Sequence, residues 1–281
     1  MTRLVSQKYG KHQVRVSKIL RDPANPKRHD FVQADIDVEL QGDFDASYTD
    51  ADNSSIVATD SIRNTVYAMA KDDPWASIES LGVAITGHFL KQYAHVTTAT
   101  ARLREQIWSR LGDHDHAFSS AGDETPTAEV VQSRASGLAI TSGLGDLMIA
   151  KTTESGFTNF VDDEYRTLAD TEDRILATVL TASWTYADPK PGDDYPAMRS
   201  AIRAALLGTF GDHYSISVQQ TLYLMGGAAL AACPSIGEIT LTMPNKHHLR
   251  FPLEKLGREN HNDVFHVTDE PRGFIHATVG R

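Results

Sequence analysis

Hydrophobic and polar residues alternate over two stretches near the start of the chain, residues 12–22 and residues 31–44. In the second stretch, Ile36, Val38 and Leu40 lie on one face if the backbone is extended. A period of two residues is typical of a half-buried strand. The turn-rich sequence DPANPKRHD separates the stretches, so the pattern predicts two antiparallel strands joined by a loop.

The pattern changes to helical spacing in residues 61–71 and 77–94. Asp60 or Ser61 is the predicted N-cap of the first helix, and Ser77 is the predicted start of the second. Alternation returns after these helices and predicts further strands in residues 97–111 and 129–136.

The second half of the chain repeats this order of elements. The predicted strands are residues 137–154, 177–187, 237–245 and 274–280, and the predicted helices are residues 196–210 and 215–234. An insertion between the first two of these strands, residues 164–177, is also predicted to be helical.

Two copies of the order strand–strand–helix–helix–strand–strand indicate an α+β fold with antiparallel sheets. A domain boundary near residue 137 divides the chain into residues 1–137 and 138–281. Helices cover one face of each sheet, whereas the other face and the sheet edges need a partner. We therefore expect oligomerisation, with the sheets closing on one another.

Composition and charge narrow the classes of function. The chain has 281 residues and a net charge of −10, which argues against nucleic acid because phosphate binding needs a basic surface. The same charge repels an anionic substrate, so a site for one needs its own arginine or lysine.

Several features favour a cytoplasmic location. No apolar run approaches the roughly 20 residues that span a bilayer, so no membrane partner is expected. The first residues lack the apolar core of a secretion signal, and the final VGR is not the peroxisomal SKL signal. The single cysteine, Cys233, suits a reducing compartment.

Two groups of histidines are candidates for metal binding. His114 and His116 flank Asp115, but we interpret this group as a polar turn between strands because a metal needs a third ligand. His247 and His248 are adjacent, and adjacent strand residues face opposite ways, so they do not easily share one ion. We predict no metal site.

Taken singly, the other polar candidates have ordinary structural interpretations. Lys11 is a solvated strand lysine, Thr59 with Asp60 caps a helix, and Arg174 in the inserted helix forms an exposed ion pair with Asp173. The remaining candidates are a loop aromatic, a helix-surface amide and a turn amide, namely Phe157, Gln219 and Asn245.

The whole set of segments, however, closely resembles the urate oxidase (uricase) family. The matching segments are YGKHQVRV (9–16), VATDSIRNTVYAMAKD (57–72), HDHAF (114–118), SGFTNFVDDEYRTLADTEDRILAT (155–178), SVQQTLYLMG (217–226) and MPNKHHL (243–249). The resemblance implies two tandem tunnelling-fold (T-fold) domains, residues 1–137 and 138–281, and a homotetramer whose sheets close into barrels. It also implies oxidation of urate by O2 and water to 5-hydroxyisourate and hydrogen peroxide in purine catabolism, without a cofactor.

The resemblance further implies active sites that are shared between subunits. One chain contributes the catalytic Lys11 and Thr59, together with Asp60, whereas its neighbour contributes the catalytic His247. The implied substrate-binding residues are Thr59, Asp60, Phe157, Leu168, Arg174, Val218, Gln219 and Asn245, and Thr59 and Asn245 also hold O2 and water. The sequence leaves open whether Gln219 or the adjacent Gln220 contacts substrate.

Two alternatives to urate oxidation stay open at this point. One is another T-fold enzyme that acts on a purine or pterin, such as an aldolase or a cyclohydrolase. The other is a purine-binding protein without catalytic activity.

Overall fold

The computed structural model describes residues 2–281, which form two compact units. The first unit extends to Leu144 and includes Thr185–Ala197, and the second comprises Gly145–Trp184 and Met198–Arg281. The domain boundary that the sequence predicts at residue 137 remains a prediction.

Twelve strands and five α-helices are found within the described residues. The strands are β1 Tyr9–Asp22, β2 Asn25–Gly42, β3 Val96–Gln106, β4 Trp108–Arg110, β5 Phe118–Ser120, β6 Thr125–Ser133, β7 Gly137–Lys151, β8 Leu176–Tyr186, β9 Ile236–Thr242, β10 Asn245–Arg250, β11 Phe265–Gly273 and β12 His276–Gly280. The helices are α1 Asp45–Thr49, α2 Thr59–Asp72, α3 Ile78–Gln92, α4 Tyr195–Gly211 and α5 Val218–Ala232. These elements confirm the predicted α+β class.

The first unit is built on an antiparallel sheet in which β2 lies between β1 and β3, and β3 pairs with β6. Alternate residues of β2, including Ile36, Val38 and Leu40, are fully buried. They form one core with buried residues of α2 and α3 such as Ile62 and Leu81. The alternation in the sequence therefore predicts correctly which face of β2 is covered.

The loop predicted between β1 and β2 is much shorter in the structure. Asp22 pairs with Asn25, so only two residues form the turn, and β2 begins six residues before the predicted start at Phe31. The strands extend beyond the core here, where their residues are mostly exposed. Backbone pairing and polar contacts with the β4–β5 hairpin, such as the bond from the His29 amide to the Asp115 carbonyl at 2.8 Å, hold this part of the hairpin. Its polar residues therefore do not reveal it as a strand.

The helices α2 and α3 of the first unit begin in different ways. The Ser77 side chain accepts from the Ser80 amide, and the Ser80 hydroxyl accepts in return from the Ser77 amide, which confirms the predicted start of α3. Ala58 is the N-cap of α2, so the predicted caps at Asp60 and Ser61 are wrong. Thr59 and Asp60 form the first turn of that helix.

In the second unit, β10 pairs with β8 and β11, and β12 pairs with β9. Helix α5 packs on β9 and β12. The helices α4 and α5 are within three residues of the predicted bounds, whereas the sequence analysis did not predict β11.

The helix predicted at residues 164–177 is wrong, because this insertion contains no helix within the described residues. Its backbone groups bond to distant partners instead. Phe157 and Thr171 exchange two backbone hydrogen bonds of 2.7 and 3.1 Å, and the Arg174 amide donates to the Ser155 carbonyl at 2.9 Å. These non-local bonds replace the i→i−4 ladder that the apolar spacing suggested.

No helix within the described residues is long and apolar enough to cross a membrane.

Candidate active site

A cavity of about 850 Å3 lies in the second unit. It is lined by seven residues that the sequence analysis placed in the site, which are Phe157, Leu168, Arg174, Val218, Gln219, Asn245 and His247. These residues come from the insertion, from the first turn of α5 and from β10, so the fold brings three distant segments together.

Arg174 is the only one of these seven lining residues with a permanent positive charge. Its Nε is buried without a hydrogen-bond partner, and the guanidinium forms no ion pair within residues 2–281. Burial lowers the pKa of Arg174, although the nearby Tyr214 opposes this shift. The predicted exposed ion pair with Asp173 is therefore wrong, because Asp173 bonds to Thr153 and Asn262 instead.

Aromatic rings form the wall beside this guanidinium. The Arg174 guanidinium carbon lies 5.4 Å from the ring centroid of Phe157, which stacks on Phe160 at 4.6 Å with an interplanar angle of 10°. The Arg166 guanidinium carbon lies over the Phe160 ring, 4.1 Å from its centroid. Leu168 is 54% exposed and lies at the rim of the cavity.

The segment that carries Phe157 is fixed against the residues before α5. The Gly156 amide donates to the Ser215 carbonyl at 2.8 Å, and the Ser215 amide donates to the Glu154 carbonyl at 2.8 Å. A Cβ atom on Gly156 would lie 2.3 Å from the Tyr214 hydroxyl, so this close approach requires glycine.

The first turn of α5 presents Val218 and Gln219 to the cavity. Ser217 caps the helix by accepting from the Gln220 amide at 3.1 Å. The amides of the first two helical residues have no partner within the helix, and such amides favour negative charge. Gln219 lines the cavity whereas Gln220 does not, which favours Gln219 as the substrate ligand.

Asn245 and His247 lie together at the start of β10. The Asn245 Nδ2 is 3.3 Å from the His247 Nδ1, and Asn245 is 9% exposed. Asn245 is the first residue of the strand and pairs with Thr178 and Gly273, so it does not form the predicted turn. The register shifts between Asn245 and His247, and His248 also lines the cavity, contrary to the strict alternation that the sequence suggested.

Lys11 belongs to the first unit and lies where β1 is irregular. The register of β1 against β2 shifts between Lys11 and Val14, and Gln13 has a φ of 57°. A Cβ atom on Gly10 would lie 1.8 Å from the Val38 carbonyl oxygen, so β1 approaches β2 unusually closely just before Lys11. The Lys11 ammonium forms no hydrogen bond or ion pair with any other described residue.

Thr59 and Asp60 lie beside the same end of β1 as Lys11. The Val57 amide donates to the Tyr9 hydroxyl at 2.8 Å, which joins the start of β1 to the residues before α2. At the other end of the helix, the Lys18 ammonium donates to the Ala70 carbonyl at 2.9 Å. Helix α2 therefore runs along β1, with its first turn near Lys11.

The carboxylate of Asp60 is already occupied. It accepts from Arg63 at 2.6 Å and from Asn64 at 3.0 Å. The carboxylate of Asp60 is therefore engaged within α2, and the donor that this residue can offer a ligand is its backbone amide.

One known protein family matches most of the chain. The family model described as Uricase matches residues 7–131 and 140–276. The chain belongs to the uricase family. The predicted family is thus confirmed over nearly the whole length of the sequence.

Individual members of the uricase family support this assignment. The chain is 39% identical to the uricase of Arthrobacter globiformis over 278 residues, which cover 99% of this chain and 90% of that protein. It is 36% identical to the uricase of Dictyostelium discoideum over 286 residues, which cover 100% and 98%. The crystal structure of the Arthrobacter globiformis uricase superposes with a TM-score of 0.94, covering 100% of this chain and 96% of that one.

The histidine group at 114–116 does not line this cavity. It lies in the turn between β4 and β5, as predicted, where Arg110 donates to the carbonyls of His114 and Asp115 at 2.9 and 2.8 Å. Within residues 2–281, no three histidine, cysteine, aspartate or glutamate side chains are grouped so as to hold a metal ion.

The sequence analysis missed part of the cavity wall. Asn262, which precedes β11, also lines the cavity. So do Phe265 and Gly273 within β11, and Ile275 between β11 and β12. Their only sequence signal is proximity to the recognised segment 243–249, because β11 has no clear alternation. Asp173 also lines the cavity, although its sequence position suggested only a partner for Arg174.

Proposed function

We propose that the chain is a urate oxidase that converts urate, O2 and water to 5-hydroxyisourate and hydrogen peroxide in purine catabolism. Membership of the uricase family supports the activity. One observation of the structure carries the proposal: a partly buried guanidinium without a counter-ion among the described residues borders an aromatic wall and a helix start in one cavity. Such a site suits a planar anion.

Each lining group matches one property of urate. The Arg174 fork donates to a ring oxygen and nitrogen and neutralises the negative charge. The Gln219 amide donates and accepts at the opposite edge, and the Val218 amide adds an in-plane donor. Phe157 stacks on the ring face, and Leu168 closes the apolar wall.

In this proposal Lys11 and Thr59 come from a neighbouring chain, whereas His247 belongs to the chain that carries Arg174. Lys11 acts as the base through the Thr59 hydroxyl, and His247 orients or protonates this relay. The amides of Thr59 and Asp60 complete the in-plane contacts with urate. The unpaired ammonium of Lys11 and the position of α2 along β1 support this arrangement.

The oxidation is balanced without a further redox partner. Urate that has lost two protons gives two electrons to O2, and two protons complete hydrogen peroxide. Water then adds to the dehydrogenated ring to form 5-hydroxyisourate. Asn245 and Thr59 hold O2 and later water, and the reaction uses no cofactor or metal.

The remaining parts of the proposal concern assembly and location. The chain forms a homotetramer in which sheets close into T-fold barrels and each site is shared by two subunits. Strand β1 forms an edge of its sheet, and an edge with unpaired backbone groups favours such a partner. The lone, buried Cys233 suits a cytoplasmic location.

A single cuvette experiment tests the activity and its independence of metals. Urate absorbance and dissolved O2 are recorded together for protein treated with EDTA and for untreated protein. We expect both samples to consume urate and O2 in equal amounts and at equal rates. Loss of activity with EDTA that copper or zinc restores would contradict the cofactor-free reaction, and no O2 uptake in either sample would contradict urate oxidation.

The same assay with Lys11→Ala tests the relay. Turnover should fall by about two orders of magnitude or more, because the general base is removed. The purine inhibitor 8-azaxanthine should still bind, because the residues that hold the ring are intact. Lys8→Ala is the matched control, since this exposed lysine of the same region is paired with Glu39. Turnover of Lys11→Ala at the wild-type rate would remove Lys11 from the mechanism.

A further inference from the structure

The residues that hold Arg174 in place do not belong to a helix or a strand. Arg174 and Phe157 lie in the insertion between β7 and β8, which contains only turns, bends and two isolated bridges. The position of Arg174 therefore depends on non-local contacts of this insertion, such as the bond from its amide to the Ser155 carbonyl at 2.9 Å.

Asp173, the neighbour of Arg174 in the sequence, has two such contacts. Its Oδ1 accepts from the Thr153 hydroxyl at 2.8 Å, and its Oδ2 accepts from the side-chain amide of Asn262 at 2.9 Å. Both oxygens of the carboxylate are thus engaged by neutral donors. Arg174, the closest cation in the sequence, forms no ion pair with it.

Asn262 is itself held firmly at the wall of the cavity. The backbone amide of Asn262 donates to the Asn260 Oδ1 at 3.1 Å. The Asn260 side chain is 4% exposed and donates to the carbonyls of Phe251 and Val264 at 2.8 Å each. Asn260 therefore closes the loop between β10 and β11, and this loop presents Asn262 to Asp173.

A free carboxylate beside Arg174 would compete with an anionic substrate. A bidentate arginine–carboxylate pair uses the same donors that a planar anion uses. We propose that Thr153 and Asn262 hold the Asp173 carboxylate away from Arg174 and so keep the guanidinium available for urate. Asn262 and Thr153 are positioning residues in this inference, which rests on the proposed function.

The test is a double-mutant cycle with Asn262→Gly and Asp173→Asn in the assembled protein. Glycine is chosen because Asn262 has a φ of 67°, which glycine adopts without strain. We measure the Kd of 8-azaxanthine, the KM and kcat for urate, and the thermal midpoint. Asn262→Gly should raise Kd and KM about tenfold with kcat within about twofold, since a competing ion pair weakens the ground-state complex.

The cycle separates this role from a merely structural one. In the Asp173→Asn background no carboxylate competes, so Asn262→Gly should leave the Kd within about twofold. Thr153→Val removes the other donor at similar volume, and it should raise the Kd in the same direction as Asn262→Gly. An unchanged Kd in both donor variants, or an equal loss of affinity in the Asp173→Asn background, would overturn the inference. Absence of binding and turnover in the wild-type protein would instead reject the proposed function.

Discussion

Arg102 in the first unit and Arg174 in the second show two uses of a partly buried arginine. Arg102 contacts Glu129 at 2.5 Å and Glu39 at 3.0 Å, whereas Arg174 has no acidic partner among the described residues. Burial lowers the pKa of both, but the bonds to Glu39 and Glu129 outweigh this effect at Arg102 and raise its pKa.

This difference separates a stabilising charge from one that is available to a ligand. A buried charge without a partner is costly to the fold, so its retention is a reason to expect binding or catalysis there. A paired charge in a sheet, such as Arg102, needs no ligand to account for it.

The largest effect is expected when each arginine is replaced by alanine. Arg174→Ala should lower kcat/KM for urate about 1000-fold, because loss of a desolvated charged hydrogen bond costs on the order of 4 kcal/mol. Its Tm should stay equal or rise, since an uncompensated charge is removed. Steady-state urate absorbance and thermal unfolding give both values.

Arg102→Ala is the matched comparison. It should keep kcat/KM within about twofold and lower the Tm, because Glu39 and Glu129 lose a shared partner. The contrast fails if Arg102→Ala abolishes turnover while Arg174→Ala mainly lowers the Tm.

A smaller effect is expected for the uncharged side of the cavity. Gln219→Leu should raise KM roughly 10- to 100-fold, because an unpaired polar edge of the bound ring costs about 1–3 kcal/mol. Gln220→Leu is the control at the adjacent exposed position and should change KM less than twofold. Equal effects of the two substitutions on KM would contradict the assignment of the substrate contact to Gln219 and not to Gln220.

The regular elements could largely be predicted from sequence. Buried positions in β2 alternate as Ile36, Val38 and Leu40 do, and Ser77 marks the start of α3 because capping depends on nearby residues. The insertion could not be predicted in this way. Its apolar spacing resembles a helix, but bonds such as Arg174 to Ser155 join residues that lie far apart in sequence.

The same distinction applies to the site. Resemblance to the family indicated Arg174 and Gln219, whereas composition and spacing gave each an ordinary surface role. The adjacent Asp173 suggested an ion pair with Arg174, yet its partner Asn262 is 89 residues away. Local sequence therefore identifies a charge, but only the tertiary structure shows whether that charge is paired.

The smallest effect concerns Glu39, the carboxylate that pairs with Arg102. Burial raises its pKa, but hydrogen bonds from Lys8 and Arg102 outweigh this effect and lower the pKa from 4.5 to about 2. Because the folded value lies below the unfolded one, the ionised group stabilises the fold above about pH 4.5. This stabilisation is lost as the pH falls from there towards 2.

Glu39→Gln should therefore lower the Tm at pH 7 by a few degrees, which corresponds to about 1–2 kcal/mol after screening of the partly exposed partners. The difference in Tm from wild type should remain constant down to about pH 5 and then shrink progressively towards pH 3, since the wild-type carboxylate loses its advantage there. Thermal unfolding at several pH values measures this difference, and Glu238→Gln, at an exposed position, provides the control. A Tm difference that stays constant from pH 7 to pH 3 would mean that the charge of Glu39 contributes nothing to stability. The ion pair of Arg102 with Glu39 would then not stabilise the fold, and the contrast between Arg102 and Arg174 would fail.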